Sequence, residues 1–358
     1  GMWCVDDNWT MPTRVSAIVI LYNEEKYIGR CLECLARQTY PHEHLEVLLC
    51  DGGSTDRSLD IARSFESRLP NLRILHNRER RAPQGLNLGI RESTGDAVII
   101  MGSHCVYKDD YVARCVEVLE GTGAACVGGR MLTESSGTGT IAEAIRLSQE
   151  SSFGTGGSRW RSGGEAGYVD TVPYGCYRRE VFDRVGLFDK RLPRNQDNEM
   201  SSRIIAAGYK IYFDPRIEST YFTRASLRAC LRMHWMNGYY HCMTWRLNPR
   251  SLRPRHLIPM LFFLGLLGTA AMWLVCRPLA WIGTAVLAAY LLLDLYFSVR
   301  LVVAHGARFL TVMPWLFPLT HLVYGCGTLA GLAAHGLRRV PDNPEVRGRP
   351  DPIASEMP

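Results

Sequence analysis

The chain has no long apolar run before residue 256, and this absence separates its first part from the rest. Apolar stretches in the first part are short and are interrupted by Gly, Pro, Asn and Asp, as expected of a soluble α/β domain. Residues Met2 to Arg14 lack the apolar core of a secretory signal, so we expect no signal peptide. From His256 onward come three long, nearly uncharged stretches. The sequence therefore predicts a soluble domain followed by a hydrophobic region.

The chain also lacks a strong net charge and a cysteine framework. The formal charge is only +6, with Lys and Arg denser around the hydrophobic segments. This disfavours nucleic acid as a partner and favours contact with anionic lipid head groups. The 12 cysteines occur mostly singly in apolar segments, which indicates reduced core residues of a cytosolic protein. Cys31 and Cys34 form one C-x-x-C without a second pair, so a zinc site is disfavoured.

No G-x-G-x-x-G follows the first apolar run, Val15 to Leu21, which argues against a dehydrogenase or methyltransferase of the dinucleotide-binding type. Further strands are predicted at Leu45 to Cys50, Leu72 to Leu75 and Ala97 to Met101, with helix-spaced segments between them. This alternation predicts an α/β fold with a mostly parallel sheet, which binds ligands at the carboxyl ends of its strands. The polar loops after strands one, two and four should therefore form one site.

A Gly- and Ser-rich segment runs from Ser135 to Gly167. One interpretation is a mobile surface loop. The other is a flap over the substrate, in which Arg159, Trp160 and Arg161 meet phosphate or sugar. Both interpretations stay open at the level of sequence.

The chain is expected to divide into four parts. These are a cytosolic domain over 1–224, an amphipathic interface helix region over 225–255, membrane-spanning helices over 256–336 and a polar tail over 337–358. The spans are predicted at 256–276, 279–299 and 309–334, and the short Arg277-Pro278 link makes the first two a hairpin. Basic residues on both sides of this hairpin place its ends in the cytosol. Basic residues after the third span also favour the cytosol, so the side on which the C-terminus lies stays open.

The loops after the first two strands carry residues suited to a nucleotide. Tyr22, Asn23 and Glu24 follow the first strand, and Asp51 follows the second. A carboxylate at a strand end can accept hydrogen bonds from a pyrimidine N–H and a ribose hydroxyl. DGGSTD alone is also compatible with an ordinary turn and helix cap. Together with YNEE, it favours a nucleotide pocket.

Six motifs occur in one order between Val15 and Arg255: ILYNEEKYI, LLCDGGSTDRS, RRAPQGLNLGI, GSHC, GYVDTVPYGCYRREVF and GLFDKRLPRNQDNE. With the hydrophobic tail, they resemble family 2 glycosyltransferases, and more narrowly the succinoglycan-type exopolysaccharide enzymes. The resemblance implies a nucleotide-diphospho-sugar transferase domain of the GT-A type, a UDP-sugar donor and inversion at the anomeric carbon. It also implies a polyprenyl-diphosphate-linked saccharide as acceptor.

The resemblance also assigns roles to single positions. It implies that Asp51 contacts the base, with Tyr22 and Glu24 in the same pocket, and that Arg81 lies near the diphosphate. It makes Asp197 the general base that deprotonates the acceptor hydroxyl.

Glu199, two residues after that base, has two interpretations. It is either a favourable charge at a helix start or a residue of the substrate loop whose charge raises the pKa of Asp197.

The chain departs from the family pattern at the metal motif. The fourth strand normally ends in D-x-D or D-x-H, but here it ends in Gly102-Ser103-His104, so the first carboxylate is missing. His104 remains a candidate ligand for Mn²⁺ or Mg²⁺, and Ser103 a weaker contact at the nucleotide. Without a metal, Arg81, Arg159 or Arg161 would have to neutralise the leaving diphosphate. The Gln-x-x-Arg-Trp motif of processive enzymes is also missing, which favours addition of a single sugar.

We therefore expect a bacterial enzyme of the cytoplasmic membrane, in contact with membrane lipids, that adds one sugar to a lipid-linked saccharide. Two alternatives stay open. One is a polyprenyl-phosphate glycosyltransferase, whose acceptor is the lipid phosphate. The other is a degenerate, non-catalytic subunit that binds nucleotide sugars, an alternative prompted by Gly102.

Overall fold

The computed structural model describes residues 13–223, 226–251, 253–336 and 343–346. Residues 2–12, which belong to the segment where no signal peptide is expected, and most of the predicted polar tail lie outside these residues. The strands are β1 Val15–Leu21, β2 Leu45–Asp51, β3 Leu72–His76, β4 Ala97–Gly102, β5 Cys105–Tyr107, β6 Cys126–Ser135, β7 Gly167–Val169, β8 Cys176–Arg178 and β9 Ile211–Thr223.

The helices of the sheet domain come first along the chain, and the long apolar helices follow them. They are α1 Ile28–Ala36, α2 Ser58–Arg63, α3 Ala82–Glu92, α4 Tyr111–Thr122, α5 Thr140–Glu150, α6 Ser152–Thr155, α7 Arg159–Ser162, α8 Arg179–Val185, α9 Gln196–Ala206, α10 Leu227–Leu247, α11 Pro254–Val275, α12 Arg277–His305 and α13 Met313–His335.

The described strands form one sheet in the order β3-β2-β1-β4-β8-β6-β9-β5, with β7 paired to β9. The first four are parallel, and β8 is antiparallel to both β4 and β6. In this register Leu21 is paired with Asp51, and Ile20 with Gly102. The carboxyl ends of β1, β2 and β4 therefore meet at one edge, as the sequence predicted.

Helices cover both faces of the sheet. Along β1, Ala17 and Val19 belong to the core that includes α1 and α4, whereas Ile18 faces the core that includes α3. This alternation is the two-residue period of a strand. A strand buried on both faces reads as a continuous apolar run, which is why β1 and β2 were visible in the sequence.

The Gly- and Ser-rich segment is not one continuous loop, and that interpretation was wrong over α5. This helix has 11 residues, and Ala144, Ile145 and Leu147 are buried against Met313 and Phe317. The contact joins the sheet domain to the hydrophobic helices. Because α5 buries small and polar residues as well, its apolar period was weak in the sequence.

Within the described residues, three helices are long and apolar enough to cross a membrane: His256–Val275, Arg277–His305 and Met313–His335. The second is longer than predicted at both ends. Pro278 lies in its first turn. Backbone N–H groups in the first turn have no partner within the helix, so a proline there costs no hydrogen bond. The third begins later than predicted because residues Ala307–Thr311 form a 3₁₀ turn.

The helices α10 and α13 approach closely at glycines. A Cβ at Gly327 would lie 2.4 Å from the carbonyl oxygen of Trp235, and one at Gly331 would lie 2.2 Å from that of Tyr239. Small residues four apart allow two helix backbones to touch in this way. The helix α10 is thereby fixed to the third apolar helix.

We expect Gly331→Leu to separate α10 from α13 and to destabilise the folded protein by about 1–3 kcal/mol or more, as overpacking does. The control is Gly268→Leu in α11, because a Cβ at Gly268 meets nothing within 4 Å. Thermal unfolding in detergent measures both variants. Equal midpoints for the two would show that the close contact is not required.

Candidate active site

The loops after β1 and β2 are joined by hydrogen bonds. The backbone N–H of Asn23 donates to Ser54 Oγ at 2.9 Å, and the N–H of Thr55 donates to Asn23 Oδ1 at 2.8 Å. The N–H of Glu24 donates to Ser58 Oγ at 2.8 Å. Asn23 has a φ of 52°, a left-handed conformation that Asn tolerates better than most residues. These contacts make the YNEE and DGGSTD loops one rigid wall.

Asp51 is buried at the end of β2. Its carboxylate accepts hydrogen bonds from the backbone N–H groups of Gly53 at 2.9 Å and Ser54 at 3.0 Å. The turn therefore fixes the orientation of the carboxylate and leaves it further acceptor positions. Tyr22, on the neighbouring loop, is exposed beside it.

Arg80 was missed in the sequence, where Arg81 was preferred. The position of a Cβ on Gly53 lies 3.3 Å from Nε of Arg80, so the Arg80 side chain lies against the Asp51 turn. Arg81 precedes the first turn of α3, and its carbonyl accepts from Asn77 Nδ2 at 2.9 Å. Both arginine side chains are exposed at this edge. The left-handed backbone of Arg80, with φ of 57°, gives no signal in the sequence.

His104 and Glu24 lie together at the same edge. The distance from His104 Nδ1 to Glu24 Oε1 is 3.7 Å, and the His104 ring meets that of Tyr221 edge to face at 5.5 Å. Ser103 is buried. The structure thus places His104 among the residues of the first loop.

Position 102 is enclosed by other side chains. A Cβ there would lie 3.1 Å from Cε1 of Tyr174 and 3.2 Å from Sγ of Cys105. The Tyr174 hydroxyl is 2.8 Å from that sulfur, and Tyr174 itself has a φ of 47°. The Tyr107 hydroxyl accepts from the Gly102 N–H at 2.7 Å. Tyr174 therefore occupies the space beside the missing carboxylate.

These residues do not fit a hard divalent cation well. Mg²⁺ prefers six oxygen ligands, and Mn²⁺ also accepts imidazole. Glu24 and His104 offer one carboxylate and one imidazole, and within the described residues no group of three or more His, Cys, Asp or Glu side chains converges.

The α7 segment contributes to a cavity near α9. Arg159 and Trp160 line a cavity of about 240 Å³ that also reaches Tyr168 and Thr171. Thr171 Oγ1 is 3.1 Å from Oγ of Ser201 in α9. The cavity therefore adjoins the helix that carries Asp197.

Asp197 lies in the first turn of α9, which begins at Gln196. The carboxylate accepts from the Asn198 N–H at 2.9 Å and remains exposed to solvent. Surrounding protein atoms nevertheless desolvate it, and this raises its pKa above the usual value although two backbone hydrogen bonds oppose the shift. A carboxylate with a raised pKa is a stronger base than an ordinary one.

Glu199 is not part of the substrate loop, and its predicted effect on Asp197 was wrong. Its carboxylate is fully buried and paired with Arg203 at 2.8 Å, and Arg203 also donates to the Leu187 carbonyl at 2.8 Å. The raised pKa of Asp197 is due to desolvation. Residues two apart on a helix do not face each other, which explains the difference.

The residues before Asp197 are tied to the apolar helices. Arg194 donates to Asn237 Oδ1 in α10 at 2.9 Å, and Asn195 Nδ2 lies 3.2 Å from His241 Nδ1. His241 is also 3.2 Å from the hydroxyl of Tyr324 in α13. The start of the Asp197 helix is therefore positioned by α10 and α13.

Comparisons with known proteins agree with this architecture. The family described as "Glycosyl transferase family 2" matches residues 16–186. A glucuronosyltransferase of Methanococcus voltae, named for a dolichyl N-acetylglucosaminyl phosphate acceptor, is 32% identical over 61% of this chain and 70% of its own length. The succinoglycan biosynthesis protein ExoA of Rhizobium meliloti is 32% identical over 60% of this chain and 66% of its own length.

Two further proteins extend the likeness. The glycosyltransferase AglE of Haloferax volcanii is 30% identical over 72% of this chain and 82% of its own length. The mannosyltransferase PcManGT of Pyrobaculum calidifontis, solved with GDP-Man and Mn²⁺, shares the fold with a TM-score of 0.55 and 19% identity, over 90% of this chain and 88% of its own. The chain therefore belongs to glycosyltransferase family 2, as a glycosyltransferase with a GT-A-type domain followed by three helices apolar enough to cross a membrane.

Proposed function

We propose that this glycosyltransferase moves one sugar from a UDP-sugar to a polyprenyl-diphosphate-linked saccharide, with inversion at the anomeric carbon. The observation that carries the proposal is the position of α7. Its Arg161 lies 5.9 Å from the ring centre of Tyr221, which contacts His104 at the nucleotide edge. Its Arg159 and Trp160 line the cavity that reaches the helix of Asp197. A donor sugar beside α7 would lie between these two regions.

The residues at the edge take separate parts in this proposal. Asp51, with Tyr22 and Asn23, holds the base and ribose, while Ser103 and His104 approach the diphosphate. Asp197 accepts the proton of the acceptor hydroxyl as that oxygen attacks the anomeric carbon. The bond between the sugar and the diphosphate oxygen breaks, and its electron pair leaves with UDP. One displacement of this kind inverts the anomeric configuration.

The hydrophobic part supports a lipid-borne acceptor. Its three candidate spans expose large apolar side chains, and α10 is fixed to the third of them. The relative from Methanococcus voltae is named for an acceptor in which a sugar already stands on the lipid phosphate. We therefore place the enzyme in the cytoplasmic membrane of a bacterium as a multi-pass protein, in contact with lipids and with its sheet domain in the cytosol.

The product identifies the acceptor. Purified enzyme in lipid nanodiscs is incubated with UDP-sugars and either polyprenyl phosphate or polyprenyl-diphosphate saccharides, and the organic phase is analysed by mass spectrometry. The proposal expects a saccharide lengthened by one sugar. A sugar attached directly to lipid phosphate would contradict the acceptor, and nucleotide binding without any transfer would indicate a non-catalytic subunit.

Asp51→Asn should weaken UDP binding by about 10–100-fold, because hydrogen bonds to a charged acceptor contribute about 1.5–3 kcal/mol. The amide also has one acceptor oxygen in place of two, so it cannot receive both turn N–H groups and a nucleotide. Isothermal titration with UDP measures the effect. The control is Asp60→Asn on α2, an exposed carboxylate paired with Arg63 at 3.6 Å. If the two variants bind UDP equally well, Asp51 does not hold the nucleotide.

A further inference from the structure

We propose that the guanidinium of Arg161 binds the diphosphate of the donor and neutralises it in place of a protein-bound divalent cation. The inference rests on the proposed function and specifies how the leaving group is held. It follows from the position of Arg161, from the crowding at Gly102 and from the finding that no carboxylate among the described residues pairs directly with Arg161.

One side chain separates Arg161 from each end of the Gly102-Ser103-His104 segment. Tyr221 is the side chain next to His104, and Tyr174 is the one next to Gly102. The Arg161 Cζ is 5.9 Å from the ring centre of Tyr221, and that ring meets His104 at 5.5 Å. Tyr174, which encloses Gly102, is also a neighbour of Arg161. A diphosphate that reaches from the nucleotide edge toward His104 therefore comes within range of this guanidinium.

Among the described residues no carboxylate forms an ion pair with Arg161, although the charge of Glu150 acts on it from a longer distance. Its Nη1 donates to the neutral Gln149 Oε1 at 3.2 Å, and its Cζ stacks 4.8 Å from the ring centre of Trp160. Neighbouring Glu150 is already paired with Arg146 at 2.8 Å. No carboxylate among the residues that the structure describes lies within 4.0 Å of Arg161.

Such a cation is costly to keep without a partner. Desolvation lowers the pKa of Arg161, but a guanidinium stays charged in proteins. A desolvated charge without a counter-ion destabilises the folded state, and an anion that binds there recovers that free energy. A planar guanidinium binds phosphate oxygens in pairs. The site is thus electrostatically prepared for a diphosphate.

The altered metal motif explains why a positive charge from a side chain is needed at the diphosphate. Position 102 carries no carboxylate, and Tyr174 with Cys105 fills the space that one would occupy. Glu24 and His104 alone make a poor ligand set for Mg²⁺. Arg161 supplies a positive charge beside the same place.

Isothermal titration of UDP and UMP, each with EDTA or with Mn²⁺, tests the proposal without any acceptor. In Arg161→Gln the affinity for UDP should fall about 10–100-fold, while that for UMP should change far less. Arg161→Lys should recover part of the loss. Arg63→Gln, at an exposed arginine of α2, should bind both nucleotides like the wild type. In the wild type, replacing Mn²⁺ with EDTA should change the UDP affinity less than about threefold, well below the loss expected from removing a charged hydrogen bond.

Two results would overturn the proposal. One is a large loss of wild-type UDP affinity in EDTA, and the other is unchanged UDP affinity in a folded Arg161→Gln variant. A wild-type protein that binds no UDP under either condition would instead contradict the proposed function itself.

The crowding at Gly102 allows a second test. Gly102→Asp combined with Tyr174→Ala makes room for the missing carboxylate, and this double variant should bind UDP more tightly with Mn²⁺ than with EDTA. If Mn²⁺ does not change the UDP affinity of the double variant, the proposal that Gly102 and Tyr174 stand where a metal site would be is wrong.

Discussion

Asp197→Asn is expected to lower the rate of sugar transfer by about 10²–10⁴-fold, the usual contribution of a general base. The amide keeps the shape of the side chain and an oxygen that can accept from the Asn198 N–H, but it cannot take a proton. Nucleotide binding should be retained, because Asp51 and the first loop lie on other elements. UDP release with a saturating lipid-linked acceptor measures the rate, and calorimetry measures the binding.

The same variant should fold normally. Desolvation raises the pKa of Asp197, so its charged form at neutral pH opposes folding slightly. Removing that charge should leave the unfolding midpoint equal or slightly higher. The control is Asp183→Asn, an exposed carboxylate on α8. Full transfer activity in Asp197→Asn would show that another group takes the proton, or that the acceptor is a phosphate, which needs no base.

The raised pKa also predicts the acid limb of the pH profile. A general base acts only when it is deprotonated, so activity falls as the pH drops through the pKa of Asp197. Because desolvation raises that pKa, the fall should begin at a higher pH than an ordinary aspartate would give. Initial rates between pH 4 and 8, with enzyme stability checked at each pH, measure the midpoint. A midpoint at the ordinary aspartate value would contradict the desolvated environment of Asp197.

Arg203→Ala should destabilise the protein by about 3–5 kcal/mol, the largest stability effect that we expect from one side chain. The Arg203 guanidinium is fully buried, pairs with Glu199 at 2.8 Å and donates to carbonyl groups at the end of α8 and after it. Removing it leaves Glu199 as a buried charge without its partner. The loss should also loosen α9 and so lower activity.

The matched control is Arg68→Ala. Arg68 pairs with Glu33 at 2.5 Å, but the two side chains are 48% and 38% exposed. Exposed pairs contribute only about 0–1 kcal/mol, because water already stabilises both charges. Thermal and urea unfolding in detergent compare the two variants. Similar losses in both would mean that burial does not set the strength of the Glu199 pair.

The nucleotide edge was predictable from the sequence because its signals are local. The buried strands β1 and β2 are continuous apolar runs, and the polar residues that follow them must lie at the carboxyl ends of neighbouring parallel strands. The register that pairs Leu21 with Asp51 confirms this expectation. The predicted extents of the three apolar helices were close to the observed ones, because a long apolar run is also a local signal.

Other features of the site depend on contacts between distant residues. Tyr174 encloses Gly102 because β8 runs antiparallel beside β4, a pairing that no local pattern indicates. Glu199 looked like a substrate residue because it follows Asp197, yet the helix turns it into the core beside Arg203. The helix α5 was hidden by its small and polar residues and became apparent only from its contact with α13.

The anomeric configuration of the product tests the central claim most directly. In the proposed mechanism, donor and acceptor share one site, so that a hydroxyl deprotonated by Asp197 displaces UDP in a single step. Nuclear magnetic resonance of the saccharide formed from an α-linked UDP-sugar should then show a new β-linkage. A product that retains the α-configuration would contradict the single displacement and the role of Asp197 in it.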